Sequence, residues 1–406
     1  MSSLLYKPLE FVDASDLEAL IDNQTGESLY LEYKTEVFDK RDDKKRLQFL
    51  GSISAFANAA GGDILIGVKA NNGLPVDLPG LDPAEIDSEV LRIRQLVGTS
   101  IEPHLGLHFH TVPLLSGRRV LIIRIPRSWT APHGIEDNGH FHFFQRHAAG
   151  RSPMTISELR TAFSLSGSII EQTKRFRAER LATITAAQGP WGYLDKPLCV
   201  FHIVPFAGMA DAVHIDVSAT QNLRKLSPLP AEQDGFIQQG DLRYNLDGVV
   251  MRQGIDWHTQ LFRNGCLEYA TTAFFELRKS PHYLDAWLYQ IDVVRGLSRF
   301  SALQQALGVA PPITLLLSIL NAANFHLRVS EGWPLHGVAV TSHQIDQNLI
   351  LLPELVLNDF AADLVAALKP VFDCLWNAAG ERQCGFYRFN GAWNLDPSWL
   401  DPPSTY

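Results

Sequence analysis

Apolar and polar positions recur along this chain with two distinct periods, and each period predicts an element type. Over residues 44–60 the spacing is helical: Leu47, Leu50, Ser54 and Ala57 form one stripe, with Phe49, Ile53 and Phe56 beside it. Gly61-Gly62 ends that helix, as glycine past a last turn does. Residues 63–68 are apolar on both faces, the pattern of a central strand. Residues 29–37 read as a strand, and residues 13–21 as a short helix capped by Ser15. Asn71-Asn72-Gly73 is a turn, and residues 82–97 are a second amphipathic helix. Residues 104–112 and 119–125 read as paired strands around Ser116-Gly117, and residues 140–146 as another strand. Two helices follow, at 155–163 and 169–184, the first opened by a Thr155/Glu158 capping box.

Gly189-Pro190 is the expected domain boundary, giving an α/β (α+β) domain over 1–188 and a separate α+β domain over 189–406. In the second, strands are expected at 198–206, 212–218, 242–253 and 260–269, with Asn264-Gly265 as a hairpin turn. Helices are expected at 283–300 and 360–378. A hydrophobic share of 46% against 19% charged residues describes a globular chain. The most apolar window, residues 313–320, is far shorter than the roughly 20 residues of a membrane helix. Cys199, Cys266, Cys374 and Cys384 form no CxxC pair, and the N-terminus has no signal-peptide pattern. A cytoplasmic protein with reduced thiols is therefore expected.

The net charge of −9 is uneven: residues 1–190 hold 21 Lys+Arg against 23 Asp+Glu, and the remainder 14 against 21. The acidic second half would repel phosphates, so any nucleic acid is expected on the first half. There, Lys40, Arg41, Lys44, Lys45 and Arg46 cluster before a helix. Arg118, Arg119, Arg124 and Arg127 line or flank a strand, and Arg146, His147 and Arg151 surround FFQRH. Guanidinium forks match phosphate geometry, so Lys44, Lys45, Arg46, Arg118, Arg119, Arg146 and Arg151 are the expected nucleic-acid contacts. His108/His110 and His140/His142 each share a strand face, which suits zinc only if the two strands are neighbours. Neither GxxxxGK[ST] nor GxGxxG occurs, so no nucleotide loop is expected. Trp257, His258, Trp287, Tyr289 and Trp333 read as core or as the lining of a ligand pocket.

ESLYLEYK at residues 27–34, then SAFANAAGGDILIGV, then FHFFQRHAAGRSPMTISELRTAF resemble, in order, the blocks of the Schlafen AlbA-like domain, over roughly residues 17–184. That resemblance implies nucleic-acid binding, with structured RNA preferred to DNA. In the nuclease members it also implies metal-dependent cleavage of RNA, tRNA especially. Glu27 and Glu32 match two of that site's three acids, as Mg²⁺ or Mn²⁺ ligands, and Lys34 matches its lysine. Glu32 and Lys34 share a strand face whereas Glu27 has the other parity. Ala70 stands where the third acid would be, and Asp63 opens the same strand on its other face. Two alternatives stay open: a non-catalytic DNA-binding or regulatory protein with a vestigial acid pair, and a ligand-sensing protein acting through its C-terminal domain. A homodimer is compatible with each.

Overall fold

The computed structural model describes residues 7–39, 41–147, 150–188, 196–218, 226, 241–254, 256–278, 280–329, 339–360, 362–388 and 392–393. By compactness the chain divides into Met1–Ser168 and Ile169–Tyr406. The expected boundary at Gly189-Pro190 lies outside the described residues.

The first unit is built on α1 (Ala14–Asp22), β1 (Leu31–Lys34), α2 (Asp43–Ala57), β2 (Gly62–Ile66), β3 (Lys69–Asn71), β4 (Leu74–Asp77), α3 (Pro83–Ser100), β5 (Ile101–Glu102), β6 (His108–Pro113), β7 (Arg119–Ile125), β8 (Gly134–Asp137), β9 (His140–His147) and β10 (Gly150–Pro153). One sheet runs β1-β2-β7-β6, with β1 parallel to β2 and the other pairs antiparallel. A second runs β10-β9-β8-β5, and β3 and β4 form a hairpin at the Asn72-Gly73 turn. The double-faced apolar pattern of β2 has its reason here. Ile64 and Ile66 pack against α2 and α3, and Leu65 packs against Leu17 and Leu20 of α1. Register then fixes the rest. Glu32 pairs with Ile64 and Lys34 with Ile66, so both lie on the α2 face of β1. The α1 cap is Asp13, not Ser15: Asp13 accepts from the Ser15 and Asp16 amides, and Asp16 returns a bond to the Asp13 amide.

The 155–163 and 169–184 patterns form one helix, α4 (Ile156–Thr185), because Gly167 costs only about 1 kcal/mol and touches nothing. The Thr155/Glu158 capping box is present at its start.

In the second unit an antiparallel sheet is formed by β11 (Leu198–Pro205), β12 (Asp241–Tyr244), β13 (Gly248–Gln253), β14 (Trp257–Phe262) and β15 (Leu267–Thr271), with further strands after α6 (Ala286–Ala306). α5 (Phe206–Met209) is a single turn between β11 and β12. Short β16 (Phe275–Glu276) and β17 (Tyr283–Asp285) precede α6, and β18 (Ile313–Leu320) pairs with β11. β19 (His326–Arg328), β20 (Leu349–Leu351), β21 (Leu355–Leu357) and α7 (Leu364–Asn377) complete it. Leu181 and Ile184 of α4 cover one sheet face, and α6 and α7 cover the other. Asn264-Gly265 makes the expected hairpin, with Gly265 at φ +81°. The strand expected over 242–253 is instead a hairpin, because the Asn245 side chain accepts from the Gly248 amide and turns the chain. Residues 212–218 form no strand. The Ile215 amide is spent on the Arg263 carbonyl, outside any ladder.

Candidate nucleic-acid interface

The sequence placed Glu32 at the centre of a reactive block, and the fold places it under α2. It is 8% exposed, and four side chains gather on it or beside it. Ser52 Oγ donates to Glu32 Oε1 at 2.8 Å, and Lys34 Nζ lies 2.8 Å from the same oxygen. Arg146 Nη1 donates to Oε2. Burial alone would raise the Glu32 carboxyl, but Lys34, Arg146 and Ser52 outweigh it and hold the group below the ordinary carboxylate value. It is therefore an anion at neutral pH with both oxygens committed.

Arg146 comes from β9, far away in sequence, and is 5% exposed. Its Nε and Nη2 donate to the Ser28 carbonyl at 3.2 and 3.0 Å, and Nη2 also reaches the Leu31 carbonyl at 3.1 Å. Its guanidinium lies 4.4 Å from the Phe56 ring centre. The sequence suggested a phosphate contact at this residue. The structure uses its donors to tie β9, β1 and α2 together, so it braces the site from behind.

Arg151 of β10 is half-buried and stands directly across from Arg146 in the β9–β10 register. Its Nη1 donates to the Gln48 carbonyl and lies 3.3 Å from Ser52 Oγ. Gly51 permits this: a Cβ there would stand 2.5 Å from Nη1 and 2.9 Å from Cζ. Burial and the nearby Arg146 charge lower the Arg151 pKa from its ordinary value, and Glu32 partly restores it.

Glu27 goes elsewhere. It is exposed, and its Oε1 accepts from the Tyr33 amide at 3.0 Å along the open edge of β1, while Glu32 points at α2. Ala70 is partly buried against the α1-side core. Asp63 is fully buried and closed by a bidentate pair with Arg124 at 2.8 and 2.9 Å. Among the described residues no three His, Cys, Asp or Glu side chains come together in a way that could hold a metal. As arranged, Glu27, Glu32 and Lys34 do not fit Mg²⁺ or Mn²⁺. The two acids point to different places, and a cation at Glu32 would sit against the Lys34 and Arg146 charges. The histidine pairs stand on different sheets, β6 in one and β9 in the other, so they are not strand neighbours.

The remaining basic residues differ in availability. Lys44, Lys45 and Arg119 are exposed and carry no ion pair among the described residues. Arg46 is held by Asp137 at 3.1 Å and by Asp43 at 3.4 Å. Arg118 spends Nε and Nη2 on the Gly80 carbonyl. Lys40 and Trp333 lie outside the described residues.

A second buried charge cluster, which the sequence reading missed, sits in the second unit. Glu268 of β15 is fully buried and takes a bidentate pair from Arg180 at 2.8 and 2.9 Å. It also meets His202 Nε2 at 2.9 Å and His258 Nε2 at 3.0 Å. Burial opposes charge on Glu268, yet Arg180 and the two histidines hold its carboxyl well below the ordinary value. The available signal was weak: three polar residues in apolar strands, VFHIV, DWHTQ and CLEYA.

No helix among the described residues is long and apolar enough to cross a membrane. No curated protein matches the chain. Two solved structures are similar in part. One is the DIP2311 protein from Corynebacterium diphtheriae, 16% identical with a TM-score of 0.25; the match covers 36% of this chain and 27% of that one. The other is the N-terminal domain of a RecG-related protein from Nitrosomonas europaea, 16% identical with a TM-score of 0.26, covering 36% of this chain and 95% of that domain. At such scores the assignment rests on the family model for Schlafen, AlbA_2, which matches residues 27–155 and takes in β1, α2, β9 and β10 with the whole Glu32 cluster. Over residues 27–155 the first unit matches the Schlafen, AlbA_2 domain family.

Proposed function

We propose that the Schlafen AlbA_2 domain binds nucleic acid through phosphate contacts at Lys34 and Arg151, with Lys44, Lys45 and Arg119 as outlying contacts, and that it binds without cutting. One observation carries this reading: positive charge exceeds negative around Glu32, and both of that acid's oxygens already take donors from its neighbours. A carboxylate flanked by Lys34 and Arg146 offers a cation charge repulsion and little free acceptor capacity, whereas a half-exposed guanidinium beside it can take a phosphate. Structured RNA is the preferred partner on family grounds, since A-form RNA is read largely through shape and backbone. The acidic second unit regulates or dimerises the first in this reading.

The test is binding of a labelled tRNA pool and of duplex DNA at several salt concentrations, with Mn²⁺, Mg²⁺ or EDTA. Affinity should fall linearly in log–log form, by about 0.9 per contacted duplex phosphate, equally with EDTA. RNA should bind more tightly than DNA. The E-x4-E-x-K spacing favours the second reading, metal-dependent cleavage of RNA. Cleavage that needs metal and vanishes in Glu32→Ala would replace the first reading with the second. No binding at low salt would remove both.

A further inference from the structure

We infer that the meeting point of β1, α2 and β10 recognises a terminal phosphate monoester of a nucleic-acid strand, rather than only the diester backbone. This rests on the nucleic-acid reading above and names the group its central contact selects. The first argument is charge. Lys34, Arg146 and Arg151 bring three positive charges and Glu32 brings one negative charge. No other carboxylate is bonded to any of the three among the described residues, so the cluster carries a surplus of two. A backbone diester offers one negative charge, and a terminal monoester offers about 1.5–2 at pH 7. The dianion matches the surplus.

The second argument is the free half of Arg151. Nη1 is turned inward to the Gln48 carbonyl and Ser52. Among the described residues Nε and Nη2 have no protein partner, and neither is buried. They are adjacent donors of one planar fork, the geometry that grips two oxygens of a phosphate together. Gly51 makes room for that fork, since a Cβ there would collide with the guanidinium, and the Nη1 bond to the Gln48 carbonyl holds it in place. Arg146, buried against Glu32, crowds Arg151 with like charge. The pair therefore gains more from a dianion than an isolated surface arginine would.

The experiment is fluorescence anisotropy with short single strands labelled at one end and bearing phosphate or hydroxyl at the other, in both polarities, using the full chain with EDTA. At pH 7.5 one phosphorylated end should bind about tenfold more tightly than its hydroxyl counterpart. That preference should vanish in Arg151→Gln, and persist in a Lys44→Gln/Lys45→Gln variant that loses overall affinity. It should also shrink between pH 7.5 and 5.5, as the monoester takes up its second proton near pH 6. Circular dichroism of Arg151→Gln checks that the fold is retained. Equal binding of phosphate and hydroxyl ends overturns the inference and leaves the backbone-binding reading standing. So does a preference that survives Arg151→Gln. Wild-type protein that binds neither strand overturns both.

Discussion

Removing the Glu32 carboxylate is the perturbation that separates a structural acid from a chemical one. In Glu32→Ala the Arg146 guanidinium, 5% exposed, loses its one carboxylate partner among the described residues, and Lys34 and the Ser52 hydroxyl lose theirs. Stranding a buried charge costs about 3–5 kcal/mol, because its desolvation is no longer offset. Glu32→Gln keeps an acceptor for Ser52 or Arg146 and forfeits only the charge, at about 1–3 kcal/mol. Lys34→Met removes a partly exposed cation and costs about 0–1 kcal/mol. Native-state hydrogen exchange of β1 and β9 peptides is the suitable assay. All tryptophans but Trp129 lie in the second unit, so fluorescence would report mainly on that unit. A loss of 3 kcal/mol accelerates globally limited exchange roughly a hundredfold. The pH sign follows from the lowered carboxyl value. The contribution is complete above pH 4.5, the ordinary value, and is lost as pH falls through the lower folded one. Acceleration below about fivefold in Glu32→Ala would sink the argument. It would mean that Arg146 finds other partners and that Glu32 is free to do chemistry.

Gly51→Ala should leave stability within about 1 kcal/mol of wild type, since alanine's helix preference offsets displacement of the arginine tip, but should weaken nucleic-acid binding as Arg151→Gln does. Chemical denaturation and anisotropy on the same samples check this, and unchanged affinity counts against Arg151 as a contact. Asp63→Ala, which takes the bidentate carboxylate from Arg124, should destabilise the first unit by about 3–5 kcal/mol at unchanged affinity, measured by exchange of β2 and β7 peptides. The second unit should lose stability on acidification below pH 6.5. Burial holds His258 below that ordinary value, so the unfolded chain binds more protons in this window, and the carboxylate of Glu268 adds a further loss below pH 4.5. Thermal melts followed by tryptophan fluorescence test this, and a flat profile from pH 7 to 5 refutes it.

Much of the architecture was readable because it depends on local pattern. The α2 stripe, the glycine pair after it, the two-faced run of β2, the Thr155/Glu158 box and the Asn264-Gly265 hairpin each follow from neighbours within a few residues. Gly61 shows why such signals succeed: its φ is +75°, and a Cβ would sit 2.6 Å from the Arg127 amide. Failures arose where a single residue was weighted wrongly against the pattern around it. Helix α4 ignores its internal Gly167, and the 242–253 run turns on one asparagine side chain. The site itself was half legible. The shared face of Glu32 and Lys34 followed from strand parity, and Glu27 was expected off that face. That Arg146 faces inward while Arg151, five residues on, keeps donors for solvent depends on the β9–β10 register against α2.

The same contrast explains how a carboxylate in this chain should be read. Glu32, Asp63, Glu268 and Asp285 are buried or nearly so, and each is matched by one arginine from another element: Arg146, Arg124, Arg180 and Arg328. A desolvated carboxylate needs a cation with several donors, and the guanidinium supplies it with fixed geometry and permanent charge. Residue type and spacing therefore do not distinguish an acid that holds a metal from one that holds a strand. Free lone pairs do. On that criterion Glu32 holds strands together, and what the domain leaves available to a ligand is the positive charge beside it.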